Sequence, residues 1–269
     1  MVLSEGTGRR NGIKSLGQTA TSAVAESLAQ IVLTEMAPGS SIPSEGELAL
    51  RFEVSRLTIR EAIKMLAGRG LLDVGRGRRA IVREPNGIAL TDYIASHVQG
   101  DPKGLFDVLE LRLSLEVQSA ALAARRINRA GLAAMEAAMT GMRDAASEGR
   151  ANLSPRESET RFHDHDLGFH GAIALASGNR LISHLFEAMA APLRRGFNLS
   201  LRGHFARGRG VDDTIAAHEA ILVAIREGNP KAAEAAMRTH IEETERDIRA
   251  AFDQGPVDAS LWTQHLTSS

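Results

Sequence analysis

The chain contains no cysteine and few aromatic residues. Its 269 residues include one tryptophan, one tyrosine and eight phenylalanines. Without cysteine, neither a disulfide framework nor a thiolate metal site can form, and a reducing cytoplasm is the natural setting. No apolar run approaches the length of a membrane span, and residues 1–14 show no secretory signal pattern. We therefore expect a soluble, cytoplasmic protein.

The rest of the composition is typical of a globular protein long enough for two domains. Hydrophobic residues make up 43% of the chain and charged residues 24%, and alanine is abundant, which favours packed helices. The formal net charge is only −1, yet residues 51–83 hold nine basic and three acidic residues. Such a local basic excess is typical of a surface that binds nucleic acid.

This basic region has the pattern of a winged helix-turn-helix. Ser44 is followed three residues later by Glu47, a capping box that predicts the start of a first helix. Ser55 can cap a second helix, and two short strands joined by a basic turn follow between Leu72 and Val82. The predicted buried stripe of the second helix is Ile59, Ala62, Ile63 and Leu66.

The exposed N-terminal end of the second helix and the basic turn are the predicted DNA-contacting parts. This end of a recognition helix meets base edges and phosphates in the major groove, and here it carries Arg56, Thr58 and Arg60. For any one arginine taken alone, a solvated surface charge is the more common role. Two capped helices followed by a basic wing favour DNA binding.

Short motifs in this segment carry a family resemblance. They are Pro43-Ser44-Glu45, Leu48-Ala49, Val54-Ser55-Arg56, Thr58-Ile59-Arg60-Glu61-Ala62 and Gly70-Leu71. The segment resembles the GntR family of bacterial transcription regulators. The family usually carries another DNA-contacting arginine where this chain has Gly46, so either that contact is lost or another group, such as the basic N-terminal arm, replaces it. The DNA-binding residues that the resemblance implies are Ser55, Arg56, Thr58, Arg60, Arg76, Gly77 and Arg78.

Beyond residues 83–87, which interrupt the pattern, the chain reads as helix throughout. About seven helices are predicted there, so the expected fold is mainly α, a winged helix-turn-helix plus a helical bundle. Pro192 is expected to close one helix, and Gly203, Gly208 and Gly210 to lie in the following loop. The predicted divisions are a flexible tail over 1–17, the winged helix-turn-helix over 18–84, a linker over 85–90, the helical domain over 91–253 and a tail over 254–269.

Three apolar helix stripes of the predicted bundle each carry one histidine. His170 shares its stripe with Asp166, one turn earlier, and His218 and His240 lie in the other two. A single such histidine is more often a hydrogen-bonded core residue than a ligand. A carboxylate and three imidazoles that face inward are nevertheless costly to bury unless they are paired or bound, and a divalent metal ion meets that need.

The remaining histidines receive no ligand role. His163 and His165 flank the aspartate but fall on other faces of its helix, so we interpret them as surface or supporting groups. His97, His204 and His265 lie in poorly patterned stretches.

A second set of motifs lies between residues 90 and 250. It comprises Leu109-Glu110-Leu111-Arg112, Leu115-Glu116, Asp166-Leu167-Gly168-Phe169-His170, Ser177-Gly178-Asn179, His218 and His240. These resemble the FCD effector domain of the FadR subfamily. The resemblance implies that Asp166, His170, His218 and His240 bind a metal ion and that Arg112 reaches toward a ligand carboxylate. An ion pair between Arg112 and Glu116 is an equal alternative, and the donor set suits Zn, Ni, Mn or Fe alike.

Together these features predict a ligand-responsive transcription regulator. We expect a homodimer on a palindromic operator, acting as a repressor until a small organic acid or sugar acid binds the helical domain with the help of the metal. One alternative is a metal-dependent enzyme with a nucleic-acid-binding head, whose candidate bases would be His163, Asp164, His165 and Glu219. Another is a metal sensor, in which the ion itself is the signal.

Overall fold

The structure is a computed structural model that describes residues 19–75, 77–84, 87–98, 102–151 and 155–254. Contacts divide the chain into two units, one up to residue 85 and one from residue 86. The predicted tail over 1–17, all but the first residue of the tail over 254–269, and Arg76 of the predicted wing tip lie outside the described residues.

The described part of the first unit consists of three helices and a short hairpin. They are α1 (Ala20–Glu35), α2 (Glu45–Arg51), α3 (Arg56–Gly68), β1 (Leu72–Asp73) and β2 (Ile81–Val82), with the two strands antiparallel and Leu72 opposite Val82. The apolar stripe predicted on α3 is buried and packs against α1, a helix without a counterpart among the sequence predictions. The winged helix-turn-helix expected from the sequence is confirmed.

Side-chain caps set where the two helices of this motif begin. The hydroxyl of Ser44 accepts a hydrogen bond from the backbone N–H of Glu47 at 3.2 Å, and the carboxylate of Glu47 accepts one from the N–H of Ser44 at 2.7 Å. The hydroxyl of Ser55 accepts a hydrogen bond from the N–H of Thr58 at 3.1 Å. Each cap is worth about 1 kcal/mol, so both predicted helix starts are locally encoded.

The described part of the second unit is helical. Its elements are α4 (Ile88–Val98), α5 (Pro102–Arg125), α6 (Arg129–Arg150), α7 (Pro155–Ala176), α8 (Arg180–Ala206), α9 (Val211–Arg226) and α10 (Pro230–Asp253). One apolar cluster joins α5, α6, α7, α9 and α10, and a second joins α4, α5, α7, α8 and α10. Because α5, α7 and α10 contribute to both clusters, they lie in the middle of the bundle. No helix in the described ranges is long and apolar enough to cross a lipid bilayer.

Helix α8 corrects one sequence prediction. It continues through Pro192 to Ala206, so the proline does not close it and Gly203 is helical. A proline inside a helix removes one hydrogen bond and crowds the preceding turn, but here the buried side chains of Leu193 and Leu199 continue the packed face beyond it. At Gly203 a Cβ atom would overlap the backbone carbonyl of Asp247, so the glycine is needed where α8 crosses α10.

The predicted linker is shorter than expected. Helix α4 begins at Ile88, so the last three residues of the 85–90 segment are helical. The backbone N–H of Gly87 donates to the carboxylate of Glu187 at 3.3 Å, and a Cβ on this glycine would overlap the carbonyl of His184. Close packing on α8 therefore fixes the chain at the point where α4 starts.

Candidate functional site

Four side chains that the sequence pattern selects converge inside the second unit. Asp166 and His170 lie one turn apart on α7, His218 on α9 and His240 on α10, and one ligand atom from each lies within 4.8 Å of all the others. Nε2 of His170 is 3.3 Å from Nε2 of His218 and 3.2 Å from Nε2 of His240. Oδ1 of Asp166 is 2.9 Å from Nε2 of His218. The structure thus brings the four donors to one point.

The outer nitrogens of two of these imidazoles are already engaged. Nδ1 of His218 donates to the backbone carbonyl of Thr214 at 2.8 Å, and Nδ1 of His170 lies against the carboxylate of Glu116. An imidazole that donates through Nδ1 presents a bare lone pair at Nε2 when it is neutral. When both rings are neutral, the Nε2 lone pairs of His170 and His218 therefore face each other, which is unfavourable unless a proton or a metal ion lies among the donors.

The environment favours the protonation states that bind metal. Burial lowers the pKa of His240 well below its ordinary value, and His218 and His170 lower it further. Burial acts to raise the pKa of Asp166, but the hydrogen bond and charge of His218, together with His170, outweigh burial and hold this pKa well below its usual range. A neutral imidazole and an ionised carboxylate are the ligating forms.

The spacing of the donors also fits a metal ion. An ion bound by imidazole nitrogens at about 2.0–2.1 Å holds neighbouring nitrogens about 2.8–3.4 Å apart in octahedral or tetrahedral geometry. The two measured Nε2 separations, 3.2 and 3.3 Å, fall in this range. Three nitrogens and one carboxylate oxygen suit Zn, Ni, Mn or Fe. Asp166, His170, His218 and His240 can therefore hold a divalent ion.

A buried ion pair supports this cluster from α5. Nε of Arg112 donates to the carboxylate of Glu116, whose other oxygen lies against His170. Burial acts to raise the pKa of Glu116, but the charges of Arg112 and His170 outweigh it and lower the pKa to about 2. The ion pair that the sequence left as one of two roles for Arg112 is present. The contact between Glu116 and His170 was not foreseen, because no local spacing links α5 to α7.

A cavity lies directly beside the cluster. It offers about 80 Å³ to the centres of water molecules, several times the space that one water needs. With histidines neutral, the charged groups on its wall sum to one negative charge, so an anionic ligand is repelled unless a divalent cation is bound. These charged residues are Arg112, Arg209, Asp166, Glu243 and Asp247.

His204, to which the sequence assigned no role, is part of a buried polar network at this cavity. Its Nδ1 lies 2.8 Å from the carboxylate of Asp247, and its Nε2 lies 2.8 Å from the carbonyl oxygen of Gly210. Arg207 pairs with Asp247 and with Glu243. The network joins the end of α8 to α10 and to the start of α9. The sequence feature next to this network that could have indicated it is Gly203, where α8 crosses α10.

His163 also differs from its expected position. It is buried, lines the cavity and stacks on Phe197, with the ring centroids 4.2 Å apart. His163 is therefore not a surface group and does not fall on another face of α7, as was expected: it lies three residues before Asp166 and seven before His170, on the face that borders the cavity. His165 is half-buried, and its ring lies so close to Gly141 of α6 that a Cβ there would overlap it.

In the first unit, the predicted contact residues lie at the start of α3. The hydroxyls of Ser55 and Thr58 are 2.8 Å apart, and Arg56 is exposed. The guanidinium of Arg56 lies beside Gly46, where a Cβ would come within 3.4 Å of it. Arg60 forms a two-pronged ion pair with Glu45 of α2, at 3.0 and 2.8 Å. Gly46 thus leaves room for the side chain of Arg56, and Glu45 orients the side chain of Arg60.

The wing presents further basic side chains. Gly77 lies in the turn between the strands with a φ of +72°, a conformation that favours glycine. Arg78 is exposed and pairs with Asp73 at 2.6 Å. Arg79 is also exposed, 4.0 Å from Glu47. Ion pairs at such exposure are weak, so these arginines can exchange their partners for phosphates.

Comparisons with known proteins match each unit separately. Residues 20–82 match the family of bacterial regulatory proteins called the gntR family, and residues 107–243 match the FCD domain. The galactonate operon transcriptional repressor of Escherichia coli K12 is 30% identical over 82% of this chain and 92% of its own. The Glc operon transcriptional activator of the same strain is 26% identical over 91% of this chain and 92% of its own. A solved GntR structure from Streptococcus agalactiae is 30% identical, covers 84% of this chain and 99% of its own, and gives a TM-score of 0.59.

Proposed function

Since the chain belongs to the GntR family of bacterial regulatory proteins and carries an FCD domain, we propose that this transcriptional regulator is a metal-dependent repressor controlled by a small carboxylate. Within the family we assign it to the FadR subfamily. The observation that carries the proposal is the convergence of three imidazole nitrogens and one carboxylate at the wall of a charged cavity. We assign residues 18–84 to DNA binding and residues 91–253 to effector binding.

In this proposal the metal and Arg112 bind the effector together. Four protein ligands complete a tetrahedron but leave two positions free on an octahedron, which can accept carboxylate and hydroxyl oxygens. Arg112 uses Nε for Glu116, and its terminal nitrogens are then available to pair with a ligand carboxylate. Glu116 fixes the orientation of His170 and keeps its Nδ1 protonated.

The DNA-binding part of the proposal uses the exposed end of α3 and the wing. Arg56 and Arg60 would contact base edges, with Ser55 and Thr58 in support, while the wing tip at Arg76, Gly77 and Arg78 would contact the minor groove or phosphates. A single recognition helix covers a short half-site, so we infer a homodimer on a palindromic operator with half-sites about one helical turn apart.

The effector would act by a shift of population. It changes DNA binding only if it binds one geometry of the dimer more tightly than the other. Of the two relatives above, one is named a repressor and the other an activator, and we propose repression here. The name of the repressor cites galactonate, a sugar acid of the class that the cavity chemistry favours.

The two alternative functions make different demands on the site. A hydrolytic enzyme needs a base that is free to act on a metal-bound water. Of the candidate bases, the exposed Asp164 is paired with Arg194 and the half-buried Glu219 with Arg143, so neither is free. His163 lies on the cavity wall, and consumption of the bound acid is the result that would reveal it as a base. A metal sensor would respond to the ion without any organic acid.

One experiment separates these functions. Palindromic DNA is selected from a random pool with the purified chain, and its release is followed by fluorescence anisotropy. We expect galactonate or a smaller hydroxy acid to release DNA from metal-loaded parent protein but not from chelated protein or from His240→Ala, whereas His165→Ala should respond like the parent. Release by metal alone would indicate the sensor, and consumption of the acid would indicate the enzyme. Equal release from chelated protein would contradict the proposal.

A further inference from the structure

One buried imidazole on the cavity wall makes no hydrogen bond. No group in the described part of the chain hydrogen-bonds to either ring nitrogen of His163, although both nitrogens are buried. The residue is 7% exposed and lines the cavity. Buried polar groups without partners are rare because they lose their hydrogen bonds to water without replacement. A residue retained in this state at a cavity wall indicates a partner that enters the cavity.

The position of His163 relates it directly to the proposed metal site. It lies three residues before Asp166 on α7, and side chains at this spacing are neighbours on one helix face. Both residues line the same cavity, as does His240. A small acid bound to an ion at Asp166 and His240 would therefore have its remaining atoms within reach of His163.

The imidazole is held in a defined orientation. Its ring stacks on Phe197 of α8 with an interplanar angle of 27°. Ser200, one turn further along α8, lines the cavity as well. Burial lowers the pKa of His163 to about 4 despite the opposing charge of Asp166, so the ring is neutral near pH 7. It then offers one donor and one acceptor, which is what a hydroxyl group can satisfy.

Packing alone does not explain a histidine at this position. The ring of a phenylalanine would stack on Phe197 and fill the same space without placing two polar nitrogens in a buried setting. The cation of an arginine or lysine at this position would attract carboxylates with and without hydroxyl groups equally. A neutral imidazole instead distinguishes ligands by their uncharged polar groups.

We propose that His163 recognises a hydroxyl group of the effector and thereby sets the preference of this site for hydroxycarboxylates over unsubstituted carboxylates. This inference rests on the proposed effector site and adds the residue that distinguishes a hydroxyl-bearing ligand from an unsubstituted one. The metal and Arg112 would bind the carboxylate end, and His163 would contact the hydroxyl of a neighbouring carbon.

The test compares acids that differ only in hydroxyl groups. Galactonate, malate and lactate are each paired with the unsubstituted acid of equal chain length, namely hexanoate, succinate and propionate. Isothermal titration calorimetry on the metal-loaded full chain gives the ratio of dissociation constants within each pair. For at least one pair we expect the parent protein to bind the hydroxy acid about tenfold more tightly, the effect of one well-placed hydrogen bond.

The variants locate the source of this preference. His163→Phe should lower the ratio several-fold, leaving only the preference that a metal-bound hydroxyl confers, with the affinity for the unsubstituted acid nearly unchanged. His163→Gln, which keeps a donor and an acceptor, should retain more of the parent's ratio than His163→Phe. His165→Gln, on the same helix but not on the cavity wall, should keep the parent's ratio. Melting curves and metal content verify that each variant is folded and loaded. If His163→Phe does not fold, His163→Gln serves as the test: a ratio below that of the parent supports the role of His163, and an unchanged ratio contradicts it.

The possible results separate this inference from the proposed function. A parent that binds both members of every pair equally, or a His163→Phe variant with the parent's ratio, overturns the role of His163 and leaves the carboxylate site intact. If no acid binds the metal-loaded parent, the proposed effector class and the inference both fail. If the acids bind without metal and the ratio still depends on His163, the inference stands and the metal part of the function fails.

Discussion

Replacing Glu116 by glutamine tests how the ion pair beneath the metal cluster contributes to stability. The change keeps the size of the side chain but leaves Arg112 buried without its carboxylate. Burial acts to raise the pKa of Glu116, yet Arg112 and His170 lower it from 4.5 to about 2, and a difference of that size corresponds to roughly 3 kcal/mol. Removing one partner of a buried pair typically costs about 3–5 kcal/mol. The two values agree.

The assay is urea unfolding of metal-free protein at pH 7, with Glu110→Gln, exposed on the same helix, as the control. We expect Glu116→Gln to lose roughly 3 kcal/mol and the control almost nothing. The pKa of Glu116 is lowered on folding. The difference in the free energy of unfolding between the parent and Glu116→Gln is therefore fully present above about pH 4.5 and is lost as the pH falls toward 2. A loss below about 1 kcal/mol at pH 7, or a difference that does not shrink in acid, would refute the reasoning.

Two further predictions concern the DNA-contacting helix and the helix crossing. Arg56→Ala should weaken binding to the selected palindromic DNA by roughly 1–3 kcal/mol at matched salt, as measured by anisotropy. The control Lys64→Ala, at an exposed residue of the same helix, should change the binding little. An equal loss in both variants would argue against base contact by Arg56. Gly203→Ala should lower the melting temperature because its Cβ would overlap the carbonyl of Asp247, while Gly168→Ala, which meets nothing within 4 Å, should be neutral or stabilising. A neutral Gly203→Ala would mean that α8 and α10 do not cross closely there.

Local signals in the sequence predicted much of the architecture. The capping box at Ser44, the stripe on α3 and the apolar spacing around His218 and His240 each depend on neighbours in the chain, and each is found in the structure. Helix α1 could also have been predicted, since Thr19 caps it and Val24, Leu28 and Val32 recur at helical spacing on its buried face. These features require no knowledge of tertiary packing.

What the sequence did not predict depends on contacts between distant helices. Helix α8 passes through Pro192 because the packed face continues beyond it, and periodicity cannot weigh that gain against a lost hydrogen bond. The contact of Glu116 with His170 joins α5 to α7, and that of His204 with Asp247 joins α8 to α10. The position of His163, by contrast, could have been predicted, because it lies three residues before Asp166 and seven before His170 on the same face of α7.

The most direct test of the metal-dependent effector site is elemental analysis of the purified full chain, made alongside calorimetry with galactonate or malate. We predict close to one divalent ion per chain, lost in His240→Ala together with acid binding and retained in His165→Ala. Since imidazole must be neutral to bind a metal, affinity for the ion should fall in acid, and the lowered pKa of His240 places its own part of this fall below the ordinary histidine range. A metal-free parent that binds the acid with full affinity would contradict the account and would leave Asp166, His170, His218 and His240 as ordinary buried polar residues.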